Sequence, residues 1–132
     1  MKRVMSIALI VAAALFAMNA LAQEKSESKS EKKPQTIKGE IVDMGCYTAH
    51  GAMGEKHKEC ATTCIAKGMP MGLLSGKTLY LMTLNHDYAD PYNKCKDMAA
   101  AMVEVTGVVS ERNGMKAIDV TDVKPAAAAA AK

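Results

Sequence analysis

The sequence predicts a small, mainly β domain in which five strands form a barrel and a helical insertion follows the first strand. Apolar and polar residues alternate along several short segments, which is the period of a half-buried strand. Turn-forming pairs separate some of these segments, with Ser75-Gly76 and Asn113-Gly114 as the clearest cases. Within the domain, helical spacing is confined to two stretches, residues 55–67 and 90–102.

The first predicted strand is Thr36–Met44, where apolar residues alternate with charged ones. Residues 45–70 are predicted to be an insertion that contains a helix from Glu55 to Lys67, and a glycine follows that helix as a stop signal. The two apolar runs Met71–Leu74 and Lys77–Leu84 come next, and we expect them to form a hairpin.

The second helix is predicted over residues 90–102. Asp90 is a favourable N-cap, and Pro91 is tolerated in a first turn because its missing N–H has no helical partner there. One face of this helix would carry Tyr92, Cys95, Ala99 and Met102. That face is predicted to be buried, and the methionines Met82 and Met102 are assigned to the core.

The last two strands are predicted at Val103–Ser110 and Met115–Val123, both of which alternate clearly. Asn113-Gly114 lies between them, and this pair tolerates the positive φ angles of a tight hairpin turn.

The resulting order is a bent strand, an insertion, a hairpin, a helix and a hairpin, which is the order of a five-stranded OB-fold barrel with its helix between strands 3 and 4. The residues Gly39 to Asp43, Val103 to Val109, Gly114, and Ala117 to Val120 resemble the strands of small exported bacterial OB-fold proteins. The resemblance spans Thr36 to Val123 and implies an architecture rather than an activity.

The two ends of the chain differ from this domain. Residues 1–22 read as a cleavable signal peptide, with Lys2 and Arg3 before an apolar run and Ala20-Leu21-Ala22 at the cleavage site. Residues 23–35 are predicted to be a disordered tether, 36–124 the domain, and 125–132 a disordered alanine-rich tail. We therefore expect a periplasmic or secreted protein without a membrane span after cleavage.

Charge argues against nucleic acid as the partner. Between Thr36 and Lys124 there are ten basic and eleven acidic residues, so the domain has a net charge of −1. Its only aromatic residues are four tyrosines. Single-strand binders combine a positive groove with stacking aromatics, so an envelope protein or a small ligand is the expected partner.

One segment is rich in metal-binding residue types. Residues 44–71 contain three of the four cysteines, two of the three histidines, and four methionines. On the predicted helix, His57, Cys60 and Cys64 have the spacing of a shared face, and Cys46 at the end of the first strand is within reach of it. These four residues are the candidate ligands for copper or zinc, since thiolate and imidazole suit zinc and added thioether suits Cu(I).

The same cysteines have other interpretations. In an oxidising compartment, Cys46 with Cys60 or Cys64 is a disulfide candidate that would tie the insertion to the barrel. Cys95 is either a buried thiol or a further disulfide partner. The methionines Met44, Met53, Met69 and Met71 are either core residues or ligands.

Two functions follow from these alternatives. The first is an exported, non-enzymatic module that binds a transition metal. The second is an OB-fold module in which the cysteines are structural and a groove binds a peptide, a glycan or a protein. No complete catalytic motif is present in the sequence, so an enzyme is not predicted.

Overall fold

The protein is described here as a computed structural model, which covers residues 32–127. Five strands form one closed sheet in the order β1-β2-β3-β5-β4, with β1 hydrogen-bonded to both β2 and β4. The strands are β1 (Gln35–Asp43), β2 (Met71–Ser75), β3 (Thr78–Leu84), β4 (Met102–Arg112) and β5 (Met115–Pro125). All neighbours are antiparallel except β3 and β5, so the sheet is mixed. The mainly β fold predicted from the alternation is confirmed.

Within residues 32–127, three α-helices accompany the sheet: α1 (Met44–His50), α2 (Lys58–Ala66) and α3 (Ala89–Lys96). A single turn of 3-10 helix, Glu55–His57, leads into α2. The connection from β1 to β2 is therefore helical, as predicted for the insertion, and Gly68 follows α2 with a φ of 100°. The prediction did not include α1.

The helix α3 is shorter than predicted and ends at Lys96 rather than near residue 102. The reason is a pair of backbone bonds to β1: the Ala100 N–H donates to the Ile41 carbonyl at 2.7 Å, and the Ile41 N–H donates to the Ala101 carbonyl at 3.1 Å. A continued helix would use those groups internally. Met102 consequently begins β4 and is 50% exposed, so its assignment to the core was wrong, whereas Met82 is buried as predicted.

The hairpin between β4 and β5 turns at Asn113-Gly114, as predicted. Both residues have positive φ, 51° and 81°, which is what a two-residue turn matching the strand twist requires.

The core lies inside the closed sheet, and α2 and α3 cover it. The large, fully buried side chains that the sheet contributes to it are Ile41, Met71, Leu73, Val103, Val105, Ile118 and Val120. Ala61 and Ile65 from α2, and Cys95 from α3, complete it. Cys95 is thus a core residue, which is the first of the two alternatives that the sequence allowed.

The C-terminal end of the described region is attached to the sheet. β5 runs to Pro125, and the Ala126 N–H donates to the Met102 carbonyl at 3.0 Å. The predicted signal peptide, residues 23–31 of the predicted tether and residues 128–132 of the tail lie outside the described residues. Among residues 32–127 no helix is long and apolar enough to cross a membrane.

Candidate metal centre

Two buried acidic side chains of β1 organise the helical connection. Glu40 and Asp43 are 8% and 0% exposed, and buried charges of this kind need hydrogen-bond partners. A carboxylate oxygen of Glu40 accepts the Gly54 N–H. Asp43 Oδ1 accepts the Cys46 N–H at 2.8 Å, and Asp43 Oδ2 lies 3.2 Å from His57 Nε2. These contacts hold the first turn of α1 and the connection between α1 and α2 against β1.

Asp43 also determines where Cys46 lies. It is the N-cap of α1, with extended backbone angles, and aspartate is among the preferred residues at that position. The bond it accepts comes from Cys46, the third residue of the helix. Capping therefore fixes the Cys46 backbone beside the Asp43 carboxylate.

The helix α2 presents Cys60 and Cys64. Ala61 and Ile65 lie four residues apart and are buried in the core. Cys60 and Cys64 each precede one of them by a single position, so they occupy the adjoining face. Burial of the Ile65 side chain contributes about 1.5–3 kcal/mol and fixes the rotation of the helix. The core thereby orients both thiols.

The donor atoms of these residues converge. The Sγ atoms of Cys46 and Cys60 and a ring nitrogen of His57 lie within 4.8 Å of one another. The Sγ atoms of Cys46 and Cys64 and a carboxylate oxygen of Asp43 also lie within 4.8 Å of one another. Ligands of one zinc ion stand about 3.5–3.8 Å apart, given bond lengths of about 2.1–2.3 Å. Small side-chain rotations would therefore bring either set onto an ion.

The four predicted ligands are divided between these two sets of three donors, and Cys46 belongs to both sets. The solvent reaches the site through Cys60, which is exposed, whereas Cys46 and Cys64 are half-buried. The His57 side chain is 20% exposed. The donors could hold a metal ion that enters from the surface.

The thiols are close together but unpaired. All four cysteines are free, so the structure contains no disulfide between Cys46 and either Cys60 or Cys64. Burial raises the pKa of Cys46 to about 11, with smaller contributions from the Asp43 carboxylate and the Cys60 thiol. Burial and a hydrogen bond with Cys60 also raise the pKa of Cys64. Without a metal, Cys46 and Cys64 are neutral thiols at pH 7.

Other residues of the segment lie outside this cluster. His50 is exposed at the end of α1, Met53 is exposed, and Met71 is 1% exposed and belongs to the core. Cys95 is also separate, since its Sγ donates to the Pro91 carbonyl at 3.2 Å within α3. Burial raises its pKa to about 11.

Sequence reasoning missed Asp43. Its signal was present, because an aspartate directly after an alternating strand and three residues before Cys46 is a recognisable N-cap. The second role of its carboxylate, the contact with His57, joins residues fourteen positions apart and needs the fold.

A cavity of about 490 Å³ lies between the end of α2, β3 and α3, and Met69 is among the residues that line it. Its walls are mainly aliphatic side chains and methionines, with Tyr92 and Lys96 from α3. Pockets with apolar walls and few polar groups are typical binding sites for small ligands.

No family model, curated protein or solved structure matches this chain.

Proposed function

We propose that the protein is an exported, non-enzymatic binding module that holds one transition-metal ion, copper or zinc, with Cys46, His57, Cys60 and Cys64 as its ligands. The observation that supports this proposal best is the convergence of donor atoms on Cys46 from two helices. Thiolate sulfur and imidazole nitrogen are the ligands that zinc and copper prefer, whereas calcium and magnesium take oxygen.

The number of donors favours binding over catalysis. If the ion is zinc, the three thiolates and one imidazole proposed here would fill its four tetrahedral positions, whereas catalytic zinc keeps a position open for water or substrate. Asp43 is well placed to support such a site, because metal-binding histidines commonly hydrogen-bond a carboxylate through their second nitrogen. Exposed Cys60 allows an ion to enter and leave. Sequestration or delivery of the ion is the role that these features suit.

We further propose that the fold is an OB-fold and that the module works in the periplasm or outside the cell. The strand order with parallel β3 and β5 supports the fold assignment. The export proposal depends on the leader sequence of residues 1–22. The domain charge of −1 and the scarcity of aromatic residues favour an envelope protein or a small ligand as partner over nucleic acid.

The alternative is a module whose cysteines are purely structural and whose groove binds a ligand. The cavity beside α3 is the observation in its favour. In this alternative Cys46 forms a disulfide with Cys60 or Cys64, as an oxidising compartment allows.

The test is a titration of the reduced protein, without oxygen, with Zn(II) and with Cu(I) in competition with a chelator. We expect about one equivalent to bind. Cys46→Ser should remove binding, because Cys46 belongs to both donor sets. His57→Ala should weaken it, whereas the matched control Cys95→Ala, in the core, should bind as the parent does. A parent protein that retains no ion, or a Cys46→Ser variant with unchanged affinity, would contradict the proposal.

A further inference from the structure

Met69 lies beside the metal cluster and is not used by the core. Its backbone N–H donates to the Cys64 carbonyl at 3.0 Å, so the residue follows directly on the end of α2. Its side chain is 38% exposed, although methionine is a largely apolar residue. Core packing therefore does not explain the position of this side chain.

The thioether of Met69 packs on the backbone of Gly45, the residue before Cys46. A Cβ atom at Gly45 would be only 2.8 Å from Met69 Sδ and 3.5 Å from Asp43 Oδ1. The methionine sulfur and the aspartate carboxylate thus flank the same point on the first turn of α1. That carboxylate is one of the three donors in the set with Cys46 and Cys64.

Gly45 is needed for this approach. Its backbone is helical, so no unusual φ requires glycine there, and glycine inside a helix costs about 1 kcal/mol relative to alanine. What glycine provides is space, because any side chain would collide with the Met69 sulfur.

From this arrangement we propose that the ion is Cu(I), and that Met69 provides a thioether ligand to copper held by the thiolates of Cys46 and Cys64. This inference rests on the proposed metal-binding function and names its ion. Thioether sulfur is a soft ligand that selects Cu(I), whereas zinc uses cysteine, histidine and carboxylate. Methionine has three flexible side-chain torsions, so its sulfur can adjust towards the thiolates while it stays over the first turn of α1 at Gly45.

Two variants and one control test the role of Met69. Met69→Leu keeps the size and removes the sulfur. Gly45→Ala keeps the sulfur but pushes it aside. Met115→Leu removes another exposed methionine, at the start of β5, and is the control. Cu(I) and Zn(II) affinities of each reduced protein are measured in competition with chelators.

We expect Met69→Leu and Gly45→Ala each to weaken Cu(I) binding by about tenfold or more, which is the typical effect of losing a residue that supports a metal site. Both variants should leave Zn(II) affinity unchanged. The double variant should bind Cu(I) no more weakly than Met69→Leu, since both changes remove the same contact, that of the Met69 sulfur with copper. Met115→Leu should behave as the parent.

A spectroscopic measurement makes the test independent of affinity. In selenomethionine-labelled protein loaded with Cu(I), X-ray absorption at the copper edge should show selenium scattering, which should persist in Met115→Leu and vanish in Met69→Leu. Copper bound without selenium scattering, or equal Cu(I) affinity in Met69→Leu, would overturn this inference and leave the metal-binding proposal standing. A parent protein that binds neither ion would overturn both.

Discussion

Replacing Asp43 separates its two roles, because alanine and asparagine remove different parts of the side chain. Asp43 is fully buried, with one oxygen capping α1 at the Cys46 N–H and the other beside His57. Asp43→Ala removes both contacts and leaves a buried N–H without a partner. Loss of a cap, with the unpaired donor that it leaves, costs about 0.5–2 kcal/mol. Asp43→Asn keeps an oxygen for the cap, and we expect it to cost less than about 1 kcal/mol.

Metal affinity should respond differently from stability. Asparagine retains the cap but not the charge that supports His57, so both variants should bind the ion about 10- to 100-fold more weakly. Denaturant unfolding of the metal-free protein measures the first effect, and chelator competition measures the second. Asp122→Asn, at an exposed position of β5, is the control for loss of a negative charge.

Two results would refute this reasoning. If Asp43→Asn destabilised the metal-free protein as much as Asp43→Ala, capping would not be the source of the stability. If Asp43→Asn bound the ion as tightly as the parent, the carboxylate would have no role in the metal site.

Four further changes have definite expected outcomes. Ile65→Ala should cost about 2–5 kcal/mol in denaturant unfolding and weaken metal binding, because Ile65 anchors α2 in the core. Gly114→Val should cost about 1 kcal/mol or more, since a β-branched residue resists a φ of 81°; a neutral result would place the turn elsewhere. Burial raises the pKa of the Cys95 thiol from 9.0 to about 11, so as pH rises the thiol loses its proton in the unfolded chain before it does so in the folded protein. Stability should therefore fall between pH 9 and 11, and thermal melts of Cys95→Ala should show a shallower fall. The pKa values of Cys46 and Cys64 are also raised, so both thiols must release a proton when they bind metal. Metal affinity should therefore rise with pH, and calorimetry in two buffers should show the release of at least two protons.

Strands and turns were predictable because their signals are local. Alternation has a period of two residues, and Asn113-Gly114 selects its turn without help from the rest of the chain. The end of α3 was not predictable, since it depends on Ala100 bonding to Ile41 across 59 positions of sequence. Helical spacing alone extended the predicted helix through Ala100 and Ala101, whose backbone groups bond to β1 instead.

The helix α1 was missed for a different reason. Its seven residues include Gly45, Tyr47 and Thr48, which are mediocre or poor helix formers. Its cap at Asp43 and its packing on β1 allow it to form, and only the cap is visible in the sequence.

The sequence predicted that the candidate ligands lie near one another, but it did not predict the residues that contact and position them. Helical spacing placed His57, Cys60 and Cys64 together, because positions three and four apart share a face. Asp43 and Met69 contact residues that are far away in the sequence, His57 and Gly45 respectively. An aspartate or a methionine in a sequence has several ordinary roles, so the residue type alone did not indicate these contacts.

Protection of the thiols from alkylation tests whether Cys46, Cys60 and Cys64 bind the same metal ion. The native, reduced protein is treated with an alkylating reagent, with and without one equivalent of Cu(I) or Zn(II), and the modified cysteines are counted by mass spectrometry. Without metal, exposed Cys60 should react fastest, and Cys46 and Cys64 should react more slowly because burial raises the pKa of both thiols. Buried Cys95 should react only after unfolding. With metal bound, all three should be protected together. The same three adducts in the presence and absence of metal would contradict the account.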